Sequence, residues 1–176
     1  MRPPAVAGMF YPRDGRELLN MITNLLENSK KPAYSGKLRG LVVPHAGYIY
    51  SGIVAAAGYN IVLKQRGNFD DVILMGPSHF ASFPGAASTG NDVWETPLGV
   101  VEVSGVEGRG ISVLPEVHEG EHSLEVQMPF LQIACPKAVV RPLLLGDADA
   151  GQVADAIDGA IRMTSSKLPL CLSTIL

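Results

Sequence analysis

The feature that most narrows the fold is a set of nearly continuous apolar runs, each followed by glycine or proline punctuation. They cover residues 38–43, 71–75, 139–145 and, more weakly, 168–172. Val, Ile and Leu dominate these runs without the strict alternation of a half-exposed strand, as strands buried on both faces require. Helical periodicities lie between them. Residues 14–28 set Leu18, Leu19, Ile22, Leu25 and Leu26 on one face, with Asp14 and Glu17 at capping-box spacing. Residues 51–64 follow Ser51 with Ala55, Ala56, Tyr59 and Val62, and residues 151–162 carry Val153, Ala154, Ile157 and Ile161. This alternation predicts an α/β protein with three layers, α/β/α, around a mostly parallel central sheet. Pro142, inside an otherwise good strand, predicts an edge position or a bulge.

Residues 80–120 break the rhythm. They are rich in Gly, Ser, Thr and Pro, and hairpin or edge strands are expected around 86–88 and 100–103. No repeat, charged tail or low-complexity linker marks a boundary, so residues 1–176 are read as a single domain. The last run reaches Leu176 with no helical pattern after it. On pattern alone, this is either a fold that ends in a strand or a domain that is C-terminally incomplete. The second case would leave apolar sheet surface open to self-association as a homo-oligomer.

With 47% hydrophobic and 18% charged residues, the chain can bury a large core and is not a disordered segment. A net charge of −3 gives no global attraction to nucleic acid or to an anionic membrane surface. No apolar stretch is long enough to span a bilayer. Cys135 and Cys171 make no disulfide framework, and the opening Met-Arg-Pro-Pro-Ala-Val lacks a secretory apolar run. A cytoplasmic location is the expectation, with both cysteines packed in the core.

Three polar clusters interrupt this apolar chain. His45-Ala46-Gly47-Tyr48 follows the run 38–43, and Gly76-Pro77-Ser78-His79 follows the run 71–75. In a doubly wound sheet, ligands bind at the carboxyl ends of parallel strands. If those two strands are neighbours, His45 and His79 share a crevice and can share one divalent metal, with ring nitrogens roughly 3–5 Å apart. The third cluster is His118-Glu119-Gly120-Glu121-His122-Ser123-Leu124-Glu125. It lacks the His-Glu-x-x-His order of a metalloprotease helix. It reads as a loop ending near Glu121, with Ser123 as the N-cap of a helix that carries Leu124, Met128 and Leu131 and that Pro129 should kink. Glu121 and His122 would then sit at a helix N-terminus, whose dipole lowers a His pKa and favours a carboxylate. There is no Gly-x-Ser-x-Gly elbow, phosphate loop, Gly-x-Gly-x-x-Gly fingerprint or Cys-x-x-Cys pair, so nucleotide-dependent and zinc-ribbon chemistry have no support.

The ordered motifs RPPAVAGMFYP, VVPHAGYIYSG, ILMGPSHF, WETPLG and EHSLEVQMPFLQ resemble the Memo-like family, named for a mediator of receptor-driven cell motility. The resemblance runs from residue 1 to about residue 150. It implies a fold similar to the class III extradiol dioxygenases, which open catechol rings with non-haem Fe(II). It places His45 and His79 as metal-side residues of the pocket, bordered by Glu121, His122 and Ser123. On this resemblance Glu121 and His122 are the catalytic pair, with His122 as acid–base. Fe(II) is the expected metal, with Cu or Zn as alternatives. The family's Ser-Ser-Asp-x-x-His motif and a later cysteine have no match here. Ser165-Ser166 is followed by neither Asp nor His, and Cys171 lies too early. The resemblance therefore implies a C-terminally incomplete member with an incomplete ligand set and weak metal binding. Its implied functions are a metal-dependent redox enzyme, a non-catalytic module holding a peptide or small ligand in the same pocket, or a partner of a radical-SAM protein.

Overall fold

A computed structural model describes residues 1–65, 69–164 and 169–175. Its elements alternate from the start: α1 (Gly15–Asn28), β1 (Gly40–Pro44), α2 (Tyr48–Lys64) and β2 (Asp71–Pro77). Short strands follow: β3 (Ala86–Ser88), β4 (Val93–Thr96), β5 (Gly99–Glu102) and β6 (Ile111–Val113). The chain continues through α3 (Pro115–Glu119), a 3₁₀ turn (Glu125–Gln127), α4 (Met128–Ala134), β7 (Val139–Leu145), α5 (Ala150–Met163) and β8 (Leu170–Ile175). Ser165, Ser166 and Leu168, which the sequence reading used, lie outside the described residues.

The central sheet has six strands in the order β1-β8-β2-β7-β3-β6, and β4 pairs with β5 as a separate hairpin. Strands β1, β8, β2 and β7 run parallel; β3 is antiparallel to β7, and β6 follows β3. Helices α1, α2 and α4 pack on one face, where Val72, Leu74, Leu170 and Leu172 meet Leu18, Ile22, Ala56 and Phe130. On the other face Ala156 and Ala160 of α5 pack against Ile73, Met75 and Leu143. This is the expected three-layer arrangement around a mostly parallel sheet. Beyond α5 that second face is thinly covered. Val42 and Ile175, in the same rows as Met75 and Pro44, are 61% and 58% exposed.

Several local expectations are corrected. Strands β1 and β2 are not neighbours, because β8 lies between them: Val43 pairs with Thr174 and Leu74 with Leu172. Pro142 is interior, since β7 pairs with β2 on one side and β3 on the other. The sheet tolerates it because peptide groups of alternate residues point to the same side. The Val140 carbonyl accepts from Ser104 N–H on the β3 side, so Pro142 turns its missing N–H to that side too, away from β2. There it falls between the Val103–Val140 bridge and the Ser88–Leu143 pair.

Helix α2 opens at Tyr48 rather than Ser51. Phe10 supplies a carbonyl to Tyr48 N–H at 2.8 Å, while the Ser51 hydroxyl turns back to Ala46 O. Asp14 caps α1 through Arg16 and Glu17 N–H, but a full capping box forms instead at Asp149–Gln152. Ser123 does not cap a helix, because its hydroxyl is committed to Pro77 O at 2.8 Å. Pro129 stands in the first turn of α4, where no intrahelical N–H is needed, so it starts that helix instead of kinking it. Cys135 and Cys171 pack in or against the core as expected. No described helix is long and apolar enough to cross a membrane.

Candidate metal centre

The carboxyl ends of β1 and β2 and the loop after α3 converge on three histidines. His45 directly follows β1, and its N–H is held by Ile175 O, the end of β8, at 3.0 Å. His79 follows β2 by two residues, and His122 arrives on the segment between α3 and the 3₁₀ turn. That turn is pinned to the strand ends: Gln127 Nε2 donates to Pro44 O, Tyr59 donates to Gln127, and Tyr48 donates to Val126 O. Gly76 is required where β2 reaches the site. A Cβ there would sit 2.6 Å from Thr174 Oγ1 and 2.9 Å from Ser123 Oγ.

The ring centroids of His45 and His79 are 5.1 Å apart, those of His79 and His122 4.6 Å, and those of His45 and His122 5.8 Å. One ligand nitrogen from each lies within 4.8 Å of the others, a group that can hold a metal ion. His45 is fully buried, yet neither of its ring nitrogens has a hydrogen-bond partner among the described residues. Buried polar atoms are rarely left in that state. Burial, then the positive charge that His79 and His122 would carry, lowers its pKa to about 4. Near neutrality His45 is therefore a neutral imidazole with a free lone pair, the form a metal needs.

Glu121 organises the other two histidines. Its carboxylate accepts His79 N–H at 2.6 Å, His79 Nδ1 at 3.0 Å, and the backbone N–H groups of His122 and Ser123 at 2.7 and 2.9 Å. His122 Nδ1 lies 3.2 Å from the same oxygen. Burial works to raise the Glu121 pKa, but the His79, Ser123 and His122 N–H donors outweigh it and hold the acid below its usual value. The hydrogen bond to His79 Nδ1 and the carboxylate charge beside His122 Nδ1 favour the Nδ1–H tautomers and leave a free lone pair on each Nε2. This is the outer-sphere arrangement that orients metal-ligating histidines. The His122 pKa is lowered, first by burial, and the segment that carries it leads into the 3₁₀ turn and α4.

The structure thus adds a third nitrogen, from His122, to the two sequence-derived metal candidates. Glu121 stands behind the rings, and Ser123 supports Glu121 through its N–H and β2 through its hydroxyl. Sequence reasoning missed the role of Phe10, whose ring lies 4.6 Å from His122, and of Thr174, whose buried hydroxyl has no partner among the described residues. Phe10 sits in a quoted motif, but nothing in its spacing pointed to the histidines. A groove of about 550 Å³ lies elsewhere, between Arg13 and the Glu95–Val100 region, and contains none of these residues.

A family model described as "Memo-like protein" matches residues 2–170. The chain belongs to the Memo-like family. Among its relatives, a "MEMO1 family protein" of Ignicoccus hospitalis is 43% identical over 75% of this chain and 51% of its own length. One from Nitrosopumilus maritimus is 34% identical over 95% of this chain and 64% of its own length. One from Methanothermobacter thermautotrophicus is 34% identical over 99% and 68%. The chain thus spans about half to two thirds of the length of these Memo-like relatives.

Proposed function

We propose that His45, His79 and His122 form a divalent metal centre of a metal-dependent oxidoreductase related in fold to the class III extradiol dioxygenases. The observation that carries the reading is His45: a buried, neutral imidazole with two unpartnered nitrogens, facing two other rings. Three imidazoles suit Fe(II), Cu and Zn alike; the family resemblance favours Fe(II) or Cu. The role we assign to His122 is ligation in place of the acid–base role the sequence suggested. Against the weak binding expected of an incomplete ligand set, this reading sets three imidazole nitrogens, with the Glu121 carboxylate close enough to balance the charge of a bound metal.

A bound Fe(II) would supply redox chemistry and coordination positions open to O₂ and substrate. The chain's own residues do the rest. Glu121 keeps the protons on Nδ1 of His79 and His122, and the rings of Phe10 and Phe80 lie 4.6 and 5.9 Å from the His122 ring. The test is metal analysis of protein purified anaerobically and reconstituted with Fe(II). About one equivalent is expected in the parent and little in His45→Ala; equal loading of both overturns the reading.

A second reading, a non-catalytic module for a peptide or small ligand, draws on Phe80, which is 74% exposed beside the histidines. Ligand binding that survives His45→Ala would favour it. Association with a radical-SAM protein in the cytoplasm is a further proposal, tested by copurification from cells expressing both.

A further inference from the structure

The second residue of the chain is an arginine buried to 2% exposure; its backbone pairs with Val93 and Glu95, and its side chain reaches on to His118, Glu121 and Glu125. Its Nε donates to His118 O and its Nη2 to Glu121 O, both at 2.7 Å. Its Nη1 pairs with Glu125 Oε2 at 2.8 Å, and the guanidinium lies 4.3 Å from the Trp94 ring centroid. The same Glu125 carboxylate accepts Ala5 N–H, Val6 N–H and the Tyr11 hydroxyl. The guanidinium thus grips the backbone at both ends of 118–121, and Glu125 closes the circuit onto residues 5–11. Glu121, which holds His79 and His122, lies within that grip.

We propose that Arg2 is a positioning residue for the histidine centre, acting through the backbone of Glu121. This rests on the metal-centre reading for its consequence but not for its geometry. Stability alone does not explain the form of this clamp, because a buried ion pair is often replaceable by apolar residues at no loss. What only a guanidinium supplies is a rigid fork that donates to two carbonyls while its charge faces a carboxylate. Fixing the Glu121 carbonyl fixes its Cα, and with it the direction in which the carboxylate meets the two Nδ1 atoms. Lysine cannot span the three acceptors.

The experiment compares the parent with Arg2→Lys and with the charge-neutral pair Arg2→Met plus Glu125→Gln, which leaves no bare carboxylate. The first readout needs no metal: ¹⁵N NMR of the histidine rings. The parent should show His79 and His122 as Nδ1–H tautomers, and the variants a mixture. The second is Co(II) affinity and its d–d absorption, expected to weaken by about 10–100-fold, the range for outer-sphere residues. Folded variants with parent-like tautomers overturn the positioning role whatever the metal does. A parent with the expected tautomers that takes up no Co(II) overturns the metal reading and leaves the positioning role standing. If neither variant folds, Tyr11→Phe loosens Glu125 by one hydrogen bond. A tautomer shift there supports the clamp, and no shift overturns it.

Discussion

Replacing Glu121 by glutamine strikes the site at its most connected point. Oε1 receives the His79 ring and the His122 and Ser123 N–H groups, while Oε2 receives His79 N–H alone. Glutamine keeps the volume and one oxygen, so the amide nitrogen is least harmful at the Oε2 position. There it still sets donor against donor over the 2.6 Å contact with His79 N–H. Losing one charge-assisted hydrogen bond and leaving the donor unpaired costs about 2–3 kcal/mol of stability. The remaining neutral oxygen is a weaker partner for the Nδ1–H groups, so ring orientation loosens and metal affinity falls by about 10–100-fold. Urea unfolding of the metal-free protein measures the first effect, and anaerobic Fe(II) titration against a competing chelator the second. Glu119→Gln, exposed at the end of α3, should change neither by more than about 0.5 kcal/mol. A folded Glu121→Gln protein with parent affinity would refute the orienting role.

Other consequences follow from the same packing. His118 is buried against Trp94 and Arg2, and burial first, then Arg2, lowers its pKa to about 4. Its neutral form therefore stabilises the fold above the unfolded value near 6.5. That contribution, about 3 kcal/mol, is lost as pH falls from 6.5 to about 4 and stays lost below; unfolding free energies across this window should decline less steeply in His118→Gln. Gly76→Ala places a methyl against Thr174, Leu124 and Ser123 and should cost about 1–3 kcal/mol, with metal affinity lowered in parallel, read by thermal unfolding and titration. Leu172→Ala empties a fully buried position in β8 and should cost about 2–5 kcal/mol in urea unfolding; parent-like stability would show that β8 contributes little to the sheet.

The parallel core was legible because burial on both faces forces apolar continuity: Val72, Ile73, Leu74 and Met75 are all buried, and the sequence shows no alternation there. His45 and His79 were legible for the same reason, since the run that ends a strand also fixes where its turn begins. Glu121 and His122 were visible only as a polar cluster. Their placement depends on Arg2 and Glu125, a pairing across 123 positions that no local pattern encodes. The least legible point was β8. Its run is short, and nothing local shows that a strand formed last in sequence inserts between the first two. Yet that insertion shapes the centre. Strands β1 and β2 stand two spacings apart, roughly 9–10 Å, a gap that two histidine side chains leaning toward one another can span. The His45 and His79 centroids meet at 5.1 Å, so the rings must close over the end of β8, where Ile175 O holds His45 N–H. His122 then reaches the same point from the loop after α3 and adds a third ring that the two strand ends do not supply.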